Sequence, residues 1–232
     1  MRPLTGPPTN CVGVMERRTD VRRDSKPASP ELFKDPAEKS RLEAKNGLLQ
    51  YDLVVNMAGQ AIAAKAFKLR VSAVQSLQRA AIQDIYTCAG NYRTAPVYIR
   101  GTTHQPPAWE QVPEFVEEMC DYVESNWSRT ADHLASYIMW RLNWIHPFSG
   151  GNGRTSRAVS YLVMCVRANQ LFPGATTIPD QIVERRDPYY KALDAADVAW
   201  EQAKAVDVTV MEKLLDGMLA AQLLSAHKAA TT

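Results

Sequence analysis

From Val71 onward the apolar residues recur at three- and four-residue spacing, and that period sets the fold class before any motif is read. Val71, Val74, Leu77, Ala81, Ile82 and Ile85 make one stripe. Val112, Phe115, Val116, Met119, Cys120 and Val123 make another, with Glu114, Glu117, Glu118, Asp121 and Glu124 mostly outside it. Leu134, Ile138, Leu142 and Ile145 follow, then Ala158, Val159, Leu162, Val163 and Val166, then Ala192, Leu193, Ala196 and Trp200. Val206 to Leu224 reads as a last helix. Stripes of this kind bury their apolar faces against one another, so the chain is expected to be an all-α bundle.

The ordered part is expected to open at Asp35-Pro36-Ala37-Glu38, where Asp caps, Pro takes the first helical position and Glu the third. Ahead of it, residues 1–34 carry Pro3, Pro7, Pro8, Pro27 and Pro30 with few apolar residues, and are read as a flexible arm. Residues 35–205 form the core and 206–232 a C-terminal helix and tail. At 232 residues and 46% hydrophobic content the chain can bury a substantial core. A net charge of +2 is too small to argue for nucleic acid or an anionic membrane surface, and neither is expected as a partner. No apolar run approaches the ~18 residues of a membrane span. Cys11, Cys88, Cys120 and Cys165 lack metal-ligand spacing. Three of them are placed on helices as reduced, buried thiols. The expected compartment is cytoplasmic, although a protein injected into another cell would look the same.

Residues 146 to 157 read His-Pro-Phe-Ser-Gly-Gly-Asn-Gly-Arg-Thr-Ser-Arg. Here His146, a potential general base, stands just before a glycine-rich turn, Gly150-Gly151-Asn152-Gly153, that leads into an apolar-periodic helix. A helix N-terminus presents unpaired N–H groups and the positive end of the macrodipole. Glycines let that backbone curl around an oxyanion. Arg154 and Arg157, at i and i+3, share a face and can reach the same phosphates. Singly, each feature is more often a structural histidine, a loop or a solvated arginine. Their conjunction points to phosphate chemistry.

The segment resembles the signature of the Fic (Fic/Doc) family, His-x-Phe-x-Asp/Glu-Gly-Asn-Gly-Arg-x-x-Arg, at His146, Phe148, Gly151, Asn152, Gly153, Arg154 and Arg157. The resemblance implies a helical bundle with a small β-hairpin flap. It further implies transfer of AMP from ATP to a hydroxyl side chain of a target protein, releasing pyrophosphate. His146 would be the base, Gly151, Asn152, Gly153 and Arg154 would hold phosphate oxygens, and Arg157 would pair with the outer phosphates. Phe148 is read as core beneath the loop. One position departs: Gly150 stands where the family has Asp or Glu, the implied ligand to Mg²⁺. Either Mg²⁺, still expected, is held by phosphates, water and other groups, or the chemistry is changed or lost, so AMP removal, transfer of another phosphate-containing group, or nucleotide binding without turnover stay open.

Residues 89–107, AGNYRTAPVYIRGTTHQPP, contain a β-prone run at Val97-Tyr98-Ile99 and a turn signal at Gly101-Thr102-Thr103. They resemble the family's flap, which would clamp a target segment near residues 91–103 by strand addition. His104 is read as a structural residue of that hairpin. Tyr189 and Tyr190 would border the base pocket or simply pack their helix. Glu43, in Lys39-Ser40-Arg41-Leu42-Glu43-Ala44-Lys45-Asn46, falls near the position of a regulatory glutamate that the resemblance sets against Arg157; an ordinary exposed glutamate is the alternative. The oligomeric state is left open, a homodimer included.

Overall fold

Asp35 caps the first helix as its side chain dictates: the carboxylate accepts from the Ala37 N–H at 2.9 Å, and Pro36 occupies the first turn. The computed structural model describes residues 23, 32–33, 35–174 and 176–231, so the reading of residues 1–34 as a flexible arm, Cys11 included, lies outside the described residues apart from Arg23, Leu32 and Phe33. The helices are α1 (Pro36–Ala64), α2 (Val71–Ile82), α3 (Val112–Ser125), α4 (Ala131–Ile145), α5 (Asn152–Arg167), α6 (Ile178–Glu184), α7 (Arg186–Ala203) and α8 (Thr209–Thr231), with a single 3-10 turn, Trp109–Gln111, ahead of α3. No helix among them is long and apolar enough to cross a membrane.

The central element is α4. Residues 133–142 are buried without a break, which a helix shows only when it is covered on every side. α5 packs along it, and the Ser160 hydroxyl donates to the Ala135 carbonyl at 2.8 Å. α1 and α2 cover the far side of α5, while α3, α7 and α8 flank α4. Met211, Leu215 and Met218 of α8 join the same core as Val54 of α1 and Leu77 of α2. Two buried amides of α1 tie it to α2: Asn46 donates to the Gln83 carbonyl at 2.7 Å and Gln50 to the Leu77 carbonyl at 2.9 Å. An arginine is also interior. The Arg141 guanidinium lies 4.3 Å from the Trp144 ring centroid and 4.8 Å from that of Trp200, with Glu118 at 3.4 Å.

Two expectations are corrected. The β-hairpin is absent among the described residues: 89–107 is turned and extended, with a single bridge residue, Ile99, and no ladder. Pro96, Pro106 and Pro107 remove donors that pairing would need. The segment's ends are fastened instead by Arg93, whose guanidinium donates to Pro107 O at 2.6 Å and to Ala95 O at 3.3 Å. Cys88 lies in the turn after α2, not on a helix, while Cys120 and Cys165 are buried thiols on α3 and α5.

Candidate active site

Pro147 supplies no N–H and disfavours helical geometry in the residue before it, so α4 ends at Ile145. His146 turns left-handed, at φ 49° and ψ 58°, while its N–H still bonds Leu142 O at 3.0 Å. A non-glycine residue keeps such a conformation only where its surroundings over-determine it. Arg93 does that. Its Nε donates to His146 O at 2.8 Å and one terminal nitrogen reaches Ile145 O at 3.4 Å. The Arg93 backbone N–H donates to Pro147 O at 2.9 Å.

The imidazole is 6% exposed. Burial pushes its pKa down to about 3, helped by the charges of Arg93 and His104 and opposed by a hydrogen bond to the Asn143 backbone. His146 is thus neutral at physiological pH, and its basicity lies well below the near-neutral value a free imidazole would bring.

The turn behind it is braced from three sides. The Phe148 N–H donates to Asn152 Oδ1 at 3.0 Å, and Asn152 Nδ2 donates back to Phe148 O at 2.7 Å. The side chain of Asn152 therefore holds the loop, while its backbone begins α5. Phe148 is fully buried and packs against Tyr92, as its core assignment requires. Gln78 of α2 donates to Gly150 O at 3.1 Å and accepts from Gly90 N at 2.5 Å. Gly151, at φ +77°, is the N-cap of α5, and a Cβ there would meet Ile82 Cγ2 at 2.8 Å, so glycine is required. Gly150 is not among the positive-φ glycines. The first turn of α5 has no capping side chain and no acidic residue, leaving its N–H end available to an anion.

A cavity of about 850 Å³ opens over this turn. His146, Gly150 to Gly153, Arg154 and Arg157 line it, together with Tyr189, Tyr190, Arg186 and Asp197 of α7. The two motif arginines share the cavity but not their neighbours. Arg154 donates to Ala81 O and to Glu43 Oε1, both at 3.2 Å. Glu43 is therefore paired with the first motif arginine, not with Arg157 as expected, because Arg154 projects toward α1 and α2. Arg157 projects toward α7, where Tyr189, Tyr190 and Arg186 are its charge neighbours. Burial lowers its pKa, as do the Arg154 and Arg186 charges, and it has no hydrogen-bond or ion-pair partner among the described residues.

Tyr189 is core as much as lining, 3% exposed, with its hydroxyl accepting from Asn143 Nδ2 at 2.8 Å. Tyr190 carries Arg23 over its ring, 4.7 Å from the centroid, and Arg23 reaches both Asp194 oxygens at 2.6 Å. His104 bonds Trp144 O at 2.8 Å through Nε2, which ties it to α4 and not into the expected hairpin, and it also borders the cavity. Sequence does not single out Arg93, Gln78 and Arg23, since each acts through a partner far along the chain, nor Arg186, which only the fold brings beside Arg157.

Among the described residues lining the cavity, none offers an unengaged carboxylate to magnesium. Gly150 offers no side chain, Glu43 is engaged by Arg154, and Asp197 Oδ1 accepts from Trp140 at 2.8 Å. No group of three metal-ligating side chains occurs among the described residues.

Residues 68–164 match the family described as Fic/DOC. Protein adenylyltransferase fic-1 of Caenorhabditis briggsae is 35% identical over 112 residues, 47% of this chain and 20% of that protein. Protein adenylyltransferase Fic of Nematostella vectensis is 26% identical over 162 residues, 68% of this chain and 36% of that protein. The chain thus spans from a fifth to about a third of the length of these relatives. A solved Fic-domain-containing signaling protein from Bacteroides thetaiotaomicron superposes with a TM-score of 0.65 at 22% identity, over 82% of this chain and 74% of that one. Fic-1 from C. elegans does so with a TM-score of 0.62 at 21% identity, over 80% of this chain and 52% of that one. These two show the same fold. Through residues 68–164 the chain is similar to the Fic/DOC family.

Proposed function

We propose that this chain is a protein adenylyltransferase, moving AMP from ATP to a hydroxyl side chain of a target protein. The observation that carries the reading is one cavity holding a neutral, buried imidazole, an acid-free helix start and a guanidinium, Arg157, with no carboxylate partner among the described residues. In the reaction the target hydroxyl oxygen attacks the α-phosphorus, the bond to the bridging oxygen breaks, and pyrophosphate leaves. The proton of the hydroxyl passes to His146. Charge on the phosphates favours the imidazolium, so nucleotide binding raises the basicity of His146 when it is needed. The protein's part is positioning and electrostatics, without a covalent intermediate. Tyr189 and Tyr190 border the base.

Glu43 restrains the site by occupying Arg154, and an incoming phosphate must displace it. The exposed segment around Tyr98 is the proposed dock for an extended target segment. The activity is tested by incubating the chain with labelled ATP, Mg²⁺ and a lysate or purified target. Label on protein with release of pyrophosphate supports transfer, and its absence in both wild type and Glu43→Gly overturns it.

Gly150 favours a second reading, in which the missing carboxylate has shifted the chemistry to AMP removal or another phosphate-containing group. Since Gly150 does not need a positive φ, Gly150→Asp is a fair test. Under the first reading it makes transfer faster and more steeply Mg²⁺-dependent; under the second, wild type strips AMP from a modified protein and the variant does so less.

A further inference from the structure

We propose that Arg186, which lies outside the motif, is a binding residue for the terminal phosphates of the nucleotide and makes the site selective for triphosphates; this rests on the nucleotide-transfer reading above. Arg186 opens α7, lines the same cavity as Arg157, and is close enough to disfavour its charge. Neither guanidinium has a hydrogen-bond or ion-pair partner among the described residues.

The charge balance of the cavity explains why this matters. Its acidic groups among the described residues are Glu43, held by Arg154, and Asp197, held by Trp140. Arg157 and Arg186 share a partly desolvated space, near enough to repel, with no carboxylate partner among the described residues. Like charges brought together away from water are costly unless an anion bridges them. A monophosphate at the start of α5 has its charge met by that helix end and Arg154. The two remaining guanidinia match a further, multiply charged group, which the β- and γ-phosphates supply. Arg185 is a built-in control, since it is adjacent in sequence but exposed and outside the cavity.

The test is equilibrium binding of ATP, ADP and AMP to the full chain, in the wild type and in the Glu43→Gly background. Arg186→Ala should weaken ATP about 10- to 100-fold, the worth of a charge-assisted hydrogen bond. AMP should change by less than about twofold, and Arg185→Ala should change neither. Arg186→Gln serves as a second variant if thermal melting shows that alanine unsettles α7, and Arg186→Lys should recover part of the loss. Equal weakening of ATP and AMP, or unchanged ATP binding, overturns the role of Arg186 while the nucleotide reading stands, provided the wild type prefers ATP. A wild type and a Glu43→Gly variant that both bind ATP no better than AMP overturn the two together.

Discussion

Two irregular segments border the cavity, and they are built on opposite principles. The loop from His146 to Asn152 is buried throughout apart from Gly151, and the carbonyls of His146, Pro147, Phe148 and Gly150 are bonded inward, by Arg93, Asn152 and Gln78. The segment from Thr94 to Thr103 has Tyr98 82% exposed and a single bridge residue, Ile99. The first is over-determined, as a strained left-handed histidine requires. The second keeps unpaired backbone, as a strand-adding surface requires. Arg93 joins them, since one guanidinium fixes the end of α4 and bonds Ala95 O, at the start of the loose segment, and Pro107 O, just beyond it. The division places rigidity where atoms react and freedom where a variable partner binds.

The largest effect should come from the rigid side. His146→Ala is expected to lower transfer by about 10²–10⁴, the usual cost of removing a general base, with ATP binding retained. A pH series adds an independent check. The folded pKa of His146, about 3, lies below its unfolded value, so the unfolded chain binds the extra proton between roughly pH 6.5 and 3. Stability should therefore fall as pH drops through that window, by at most about 1.4 kcal/mol per pH unit from this group. Denaturant midpoints measured for wild type and His146→Ala should diverge there, and parallel curves would refute the buried neutral imidazole.

Next comes Asn152→Ala. It leaves the N–H and C=O of Phe148 buried without partners, which costs about 1–3 kcal/mol. Melting should drop by several degrees and transfer should fall as His146 loses its support. An unchanged melting temperature would mean that the brace between Phe148 and Asn152 is not what holds the loop.

The rigid half was also the more legible in sequence, for a physical reason. Periodicity and punctuation are local signals: Asp35-Pro36 starts α1, Pro147 ends α4, and Gly151 must be glycine where α5 begins. What sequence could not supply was the set of tertiary partners. Arg93 bonds a carbonyl 53 residues away and Gln78 one 72 residues away, and no local pattern records either. The partner of Glu43 failed for the same reason, since a helical wheel puts Arg154 and Arg157 together but does not say which faces α1. The hairpin failed differently. Val97-Tyr98-Ile99 has strand-forming side chains, yet a strand needs a paired neighbour, and the prolines around it remove the donors. For the flap and the choice of arginine, resemblance suggested more than this chain's residues build.

A smaller effect follows from the corrected partner. The Glu43–Arg154 pair is partly exposed, its side chains 38% and 27% accessible, so its interaction energy is of order 0.2–1 kcal/mol. Glu43→Gly should raise ATP affinity and transfer by up to roughly fivefold, the affinity equivalent of 1 kcal/mol. Adding Arg154→Ala should cancel the gain, and adding Arg157→Ala should lower affinity without cancelling the effect of Glu43→Gly. If Arg157→Ala is the change that cancels it, the glutamate works on the second arginine after all.

The smallest effect belongs to the loose segment. Tyr98→Ala removes a ring that is already 82% in water, so it should shift stability by no more than about 0.5 kcal/mol. Hydrogen exchange makes the contrast sharper than melting can. The amides of Phe148 and Arg93, bonded to Asn152 Oδ1 and Pro147 O, should exchange only with larger opening, while those of Tyr98 and Arg100 should exchange near the rate of a free chain. Tyr98→Ala should leave the slow amides as they are. Should their protection fall by an order of magnitude, the two segments would be one cooperative unit, and a target docking near Tyr98 would be felt directly at His146.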